Sequence, residues 1–188
     1  MQTPGMFIEY LINGSVALMW ALPLLRSIGV PTPQDTATAA LAVPGLYVVG
    51  MMMDFLGWII SLGYKKRVRK RIVEELGLTW ETRYTLQPKL FIYAPDLAKS
   101  SEMRGSRDRI ARGTFVNVLI TTVVFSMLSP KLGVSLSPLL IILIGVSLSI
   151  LCGMMWLRFQ RLAYSYELRS MLAVQEKISS DLAKKEPT

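Results

Sequence analysis

The chain has 188 residues, of which 52% are hydrophobic and only 18% carry a charge, and its formal net charge is +8. Soluble proteins average about 25% charged residues, so this composition argues against an ordinary water-soluble domain. Histidine is absent and the only cysteine is Cys152, which excludes a histidine general base, an intramolecular disulfide and the usual histidine- or thiolate-bound metal sites. We therefore expect no catalytic residues, no metal and no cofactor.

The charges are segregated along the chain, and the stretches between them form four apolar runs. These runs are Met6–Leu25, Ala37–Leu62, Thr114–Ser129 and Leu136–Leu157. A bilayer core of about 30 Å is crossed by about 20 mostly apolar helical residues. The third run reaches that length by starting near Ile110, with Arg112 at an edge where a long side chain can extend to the headgroups. The pattern predicts an all-α membrane protein with four transmembrane helices. Three spans plus a re-entrant segment is the alternative.

The first run carries two polar residues one helical turn apart, Glu9 and Asn13. It lacks the basic start and the small-residue cleavage site of a signal peptide, so we expect it to remain as a span. Glu9 is expected either among the headgroups beside a basic loop or in a polar group inside the membrane. Pro23 and Pro44 are predicted to kink the first and second spans.

The second run places four small or polar residues on one helix face. Gly50, Asp54, Gly57 and Ser61 follow at i, i+4, i+7 and i+11, a spacing that lets another helix approach closely. A carboxylate at the depth of Asp54 costs several kcal/mol unless it is protonated, paired or hydrated. Two interpretations stay open: a helix-packing face, or an ion or proton site.

The residues after the second run are strongly basic. The cationic side chains of this stretch are Lys65, Lys66, Arg67, Arg69, Lys70 and Arg71. Short loops rich in Lys and Arg stay on the cytoplasmic side, so both termini are predicted to be cytoplasmic. Contact with anionic lipid is the first interpretation, and a phosphate or nucleotide ligand is the second. We do not expect direct nucleic-acid binding, because no aromatic residues are interleaved with the basic ones.

The rest of this loop is predicted in two parts. The helix of the second run should continue to a stop at Gly77, and 78–98, with two prolines, is predicted to be extended or irregular. A new helix, capped by Ser100 or Ser101, should then continue into the third span. Its four arginines are further candidates for contact with anionic lipid or phosphate: Arg104, Arg107, Arg109 and Arg112. Asn117 lies one turn into that span, and a polar group of Glu9, Asn13 and Asn117 capped by Arg109 and Arg112 is one possible arrangement.

The fourth run is predicted to continue as one helix beyond the membrane. Its apolar side is expected to comprise Leu162, Tyr166, Leu168, Met171, Leu172 and Ile178. Four segments follow from these elements: a transmembrane hairpin (1–63), a basic cytoplasmic loop (64–112), a second hairpin (113–157) and a cytoplasmic C-terminal helix with a short tail (158–188).

These features favour a non-enzymatic subunit of the bacterial inner membrane. We expect a homo-oligomer that serves as a scaffold for cytosolic proteins through 64–112 and 158–183, in a multi-component system such as secretion, conjugation or anti-phage defence. A homo-oligomeric ion channel or small transporter using Asp54 or Glu9 is the alternative. A membrane enzyme acting on anionic lipid head groups is a third hypothesis.

Overall fold

The computed structural model describes residues 4–30, 42–77, 89–131 and 136–183, and no strand occurs within these ranges. Four long helices account for most of them. They are α1 (Pro4–Ser27), α2 (Val43–Glu75), α3 (Pro95–Leu128) and α4 (Pro138–Ala183). Each contains a segment long and apolar enough to cross a membrane. The prediction of an all-α chain with four membrane-spanning helices is confirmed, and it indicates a multi-pass membrane protein.

The two ends of α2 follow from local chemistry. Gly77 has a φ of +63°, a left-handed conformation that favours glycine, and its N–H donates to the Glu74 carbonyl at 3.2 Å. This is the predicted stop of the helix. Pro44 is the second residue of α2, where a proline costs no hydrogen bond. The predicted kink at Pro44 is therefore wrong, because this residue starts the helix rather than interrupting it.

The prediction of an irregular segment over 78–98 is corrected in its second half. Residues 78–88 lie outside the described residues, but 89–93 are helical and α3 already begins at Pro95. The cap predicted at Ser100 or Ser101 therefore falls inside the helix. Pro95 has the fixed φ that suits a first helical position, and Asp96 in the first turn complements the helix dipole.

The chain divides into two compact units. Unit 1 comprises Met1–Ser61 and Asp108–Leu157, and unit 2 comprises Leu62–Arg107 and Arg158–Thr188. In unit 1, α1 and α2 touch at glycines: a Cβ at Gly14 would overlap the backbone carbonyl of Leu46, and one at Gly50 would overlap that of Tyr10. Backbones this close require residues without side chains.

Unit 2 has a hydrophobic core of its own. The core residues are Ile72, Val73, Leu90, Ala98, Tyr164, Leu168, Met171 and Val174. On α4, Tyr164, Leu168 and Met171 are spaced i, i+4 and i+7, so they share one face. Leu162 precedes Tyr164 by two residues, or about 200° of helix rotation, and it is 47% exposed. The prediction for this helix is therefore corrected: the side that faces the core is rotated about the helix axis from the predicted apolar side and does not include Leu162.

Candidate functional site

Helix α1 presents two polar side chains to the interior of unit 1. Glu9 and Asn13 lie one turn apart, and only 3% and 0% of their respective surfaces are exposed. Burying a carboxylate or an amide without a partner is costly. Both residues therefore depend on polar groups from another helix, and α3 provides these groups.

Glu9 is paired with Arg109 through two parallel hydrogen bonds. The Arg109 Nε donates to Glu9 Oε2 at 2.5 Å, and Nη2 donates to Oε1 at 3.0 Å. Two nitrogens of the planar guanidinium thus meet two carboxylate oxygens, the strongest arrangement for such a pair. The Glu9 side chain is 4% exposed and that of Arg109 is 22% exposed, so the pair is largely shielded from solvent.

Asp54 on α2 is paired with Arg112, one turn further along α3. The Arg112 Nε and Nη2 both donate to Asp54 Oδ1, at 2.9 Å and 2.5 Å. The two side chains are 5% and 13% exposed for Arg112 and Asp54 respectively. Gly57 makes room for this pair, because a Cβ there would overlap the aliphatic part of the Arg112 side chain. Asp108 Oδ2 lies 3.9 Å from Arg112 Nη1, so two carboxylates flank this guanidinium.

Amide hydrogen bonds join the same helices. The Asn13 side chain donates to the backbone carbonyl of Arg109 at 3.3 Å, and the Asn117 side chain donates to the carbonyl of Asn13 at 2.8 Å. The Trp20 indole then donates to Asn117 Oδ1 at 3.0 Å. Gly113 permits this approach, because a Cβ at that position would overlap the Asn13 amide.

Helix α4 joins the group through Trp156. Its indole Nε1 donates to Asp108 Oδ1 at 3.0 Å, and its ring stacks on Phe115 with a centroid distance of 5.5 Å. All four helices thus contribute to one set of contacts. We call its ionic and amide members the polar layer: Glu9, Asn13, Asp54, Asp108, Arg109, Arg112 and Asn117.

The structure brings most of the sequence-predicted membrane residues together. Hydrogen bonds join Glu9 and Asn13 to Arg109, and Asn117 to Asn13. Arg112 pairs with Asp54 instead, a partner that no local pattern in the sequence predicts.

Two other residues of the predicted small and polar face of α2 lie outside the polar layer. Gly50 packs against Tyr10, and the buried Ser61 hydroxyl donates to the carbonyl of Trp58 in its own helix at 2.8 Å.

The predicted basic residues of unit 2 lie in different surroundings. Lys66, Arg67, Lys70, Arg71 and Arg107 are exposed, whereas Lys65, Arg69 and Arg104 are partly buried. The Arg69 guanidinium lies 5.1 Å from the ring centroid of Tyr164, and that of Arg104 lies 4.1 Å from Tyr166. Such cation–π contacts stabilise the fold of the unit.

Several residues that contribute to the polar layer or contact it are not among those predicted from the sequence. The i,i+4 spacing of Asp108 and Arg112 was a usable signal, but it was not recognised. Trp20, Trp156 and Gly113 gave no such signal, because their partners lie on other helices and are remote in sequence.

The polar layer consists of amide groups and of oppositely charged groups in contact with one another. Arg109 and Arg112 oppose three carboxylates, those of Glu9, Asp54 and Asp108, and each guanidinium contacts at least one of them. The layer connects α1, α2 and α3, and Trp156 of α4 is hydrogen-bonded to it through Asp108. The chain matches no protein-family model, no curated protein and no solved structure, so its function has to be inferred from these contacts.

Proposed function

We propose that this chain is a non-enzymatic, multi-pass subunit of the bacterial inner membrane that homo-oligomerises and serves as a platform for cytosolic proteins. The observation that carries the proposal is the pairing of both predicted intramembrane carboxylates, Glu9 with Arg109 and Asp54 with Arg112. A carboxylate that exchanges ions or protons needs access to water, whereas these two are buried and held by arginines. Their arrangement favours a structural role over the channel or transporter alternative.

A buried ion pair contributes little to net stability, but removing one of its partners is strongly destabilising because the other charge is left buried and unpaired. They are therefore well suited to selecting one helix arrangement among many. Within a bilayer the apolar surfaces of helices gain little from meeting each other rather than lipid. The polar layer supplies the specificity that apolar contact lacks.

Unit 2 supports the platform part of the proposal. It combines its own apolar core with an exposed cationic surface on α2 and a long α4 that extends to Ala183. A folded unit of this kind offers a defined surface to other proteins through 64–112 and 158–183. The proposed systems are secretion, conjugation or anti-phage defence.

The proposed orientation places both termini in the cytoplasm. The basic residues from Lys65 to Arg71 then contact the anionic inner leaflet, where each near-surface cation contributes about 1 kcal/mol. This agrees with the rule that short Lys- and Arg-rich loops are retained inside.

Affinity purification from native membranes tests the platform. We expect a chain ending at Ala183 to retain the same cytosolic proteins as the full chain, because it lacks only 184–188. A chain ending at Arg169 should lose them, since it also lacks core residues Met171 and Val174. Equal recovery from both truncations, as measured by quantitative mass spectrometry, would refute the platform role.

A further inference from the structure

We propose that unit 2 contains a binding site for a phosphate group, formed by Tyr64, Arg67 and Arg71 on α2 together with Arg161 on α4. These residues line a cavity of about 250 Å³, and Glu75 lines it as well. Only Arg67 and Arg71 of this group were among the predicted lipid or phosphate contacts. Arg161 and Tyr64 join them through the fold.

The spacing on α2 explains why the side chains converge. Arg67 and Arg71 are separated by four residues, and Tyr64 precedes Arg67 by three, so all three occupy one face of the helix. Two like charges at i,i+4 repel each other. Within the described part of the chain neither arginine forms a side-chain hydrogen bond or ion pair, and the one carboxylate in the cavity lining, that of Glu75, lies nearest to Arg161.

The third arginine is only loosely engaged. Arg161 Nη2 lies 3.9 Å from Glu75 Oε1, and both side chains are more than 60% exposed. An exposed pair at this distance contributes little. Arg161 is therefore available to an anion in the cavity, and Glu75 is positioned to accept a hydrogen bond from a ligand hydroxyl.

The charge of the site selects the chemical class of ligand. Three guanidinium groups and one carboxylate give a formal charge of +2. A phosphate group is attracted by this positive charge, whether it is a monoester or the singly charged diester of a phospholipid, and arginine binds it with paired N–H donors. The Tyr64 hydroxyl can add one further donor.

The source of the phosphate follows from the position of the site in the chain, and this step rests on the proposed function. Tyr64 lies two residues beyond Leu62, where the second apolar run ends, and Arg161 lies four beyond Leu157, where the fourth ends. These offsets correspond to about 3 Å and 6 Å of helix. With both termini cytoplasmic, the site lies at the level of the inner-leaflet headgroups, which favours an anionic phospholipid over a soluble phosphate compound.

Native mass spectrometry of the full chain in neutral detergent, titrated with phosphatidylglycerol, tests the site. The double substitution R67Q/R71Q is compared with K66Q/K70Q, which removes the same charge from exposed positions outside the cavity. We expect about tenfold weaker lipid binding or more for R67Q/R71Q, since hydrogen bonds to charged groups are lost. The loss for K66Q/K70Q should be less than about twofold, since a neutral micelle lacks the anionic surface that attracts these lysines in a bilayer. Equal losses in both variants would overturn the proposal, because the attraction would then be diffuse.

Two further measurements complete the test. In the first, sodium phosphate is added to the lipid-bound chain, with sodium chloride at equal ionic strength as the control. We expect no displacement of the lipid by phosphate. Displacement that depends on Arg67 and Arg71 would instead assign the same site to a soluble phosphate compound. If R67Q/R71Q does not fold, R161K takes its place, because it keeps the charge but loses the paired donors. Unchanged binding in R161K would then overturn the site.

The orientation is checked separately with a reporter fused after Lys70. Reporter activity in the periplasm would contradict the proposed orientation. Lipid binding by the purified chain tests the phosphate site independently of that orientation.

Discussion

Units 1 and 2 differ in what their interiors contain: among the described residues, the buried charged side chains all lie in unit 1, and the cluster of buried apolar residues lies in unit 2. The interior of unit 1 contains charged and amide side chains such as Asp54, Arg112 and Asn117, while most large exposed side chains of the unit are apolar. The interior of unit 2 is formed by residues such as Leu168 and Met171, while most of its Lys and Arg side chains are at least partly exposed. The same helices α2, α3 and α4 take part in both units, so the difference does not come from secondary structure.

The contrast agrees with what two different solvents require. In water, burial of apolar surface drives packing, and an interior of aliphatic residues is sufficient. In lipid, apolar surface is already accommodated, so contacts between helices depend on close packing and on hydrogen bonds. The two units should therefore respond most strongly to opposite substitutions.

The largest effect is expected from Arg112→Ala in unit 1. It leaves the buried Asp54 carboxylate without its main partner, which costs about 3–5 kcal/mol of folding free energy. The control is the double substitution D54N/R112Q, which removes both charges and should be considerably less destabilised. Equilibrium unfolding in mixed micelles of increasing dodecyl sulfate content measures both, and equal losses would show that Asp54 does not depend on Arg112.

The corresponding substitution in unit 2 is apolar. Leu168→Ala creates a cavity at a side chain that is 1% exposed, and such changes cost about 2–5 kcal/mol. Leu162→Ala on the same helix is the matched control and should change stability by less than about 0.5 kcal/mol. Thermal unfolding followed by circular dichroism compares them. A loss for Leu162→Ala as large as that for Leu168→Ala would contradict the core identified in unit 2.

The smallest loss of stability is expected from a substitution at the backbone contact between α1 and α2 in unit 1. Gly50→Ala places a methyl group against the Tyr10 carbonyl, and overpacking of this kind costs about 1–3 kcal/mol. Gly45→Ala on the same helix meets no atom within 4 Å and should leave stability nearly unchanged. The dodecyl sulfate titration used for Arg112 measures this difference as well. An unaltered transition in Gly50→Ala would show that α1 and α2 do not need this close approach.

The amino-acid sequence by itself determined the four spans and the inward face of α2. A bilayer requires long apolar helices, so their number can be counted from hydropathy alone. The spacing of Gly50, Asp54 and Gly57 likewise sets a common face, because helix geometry is local. The stop at Gly77 follows from the same kind of local rule.

Only the tertiary structure decided the pairings. Glu9 and Arg109 are separated by 100 residues, and so no local spacing relates them. Whether Asp54 meets Arg112 depends on the rotation and depth of two separate helices, and the sequence fixes neither. The rotation of α4 away from Leu162 depended in the same way on the core of unit 2. Local spacing set the buried side of α2, whereas the partners of its residues, and the buried side of α4, were decided by packing across a whole unit.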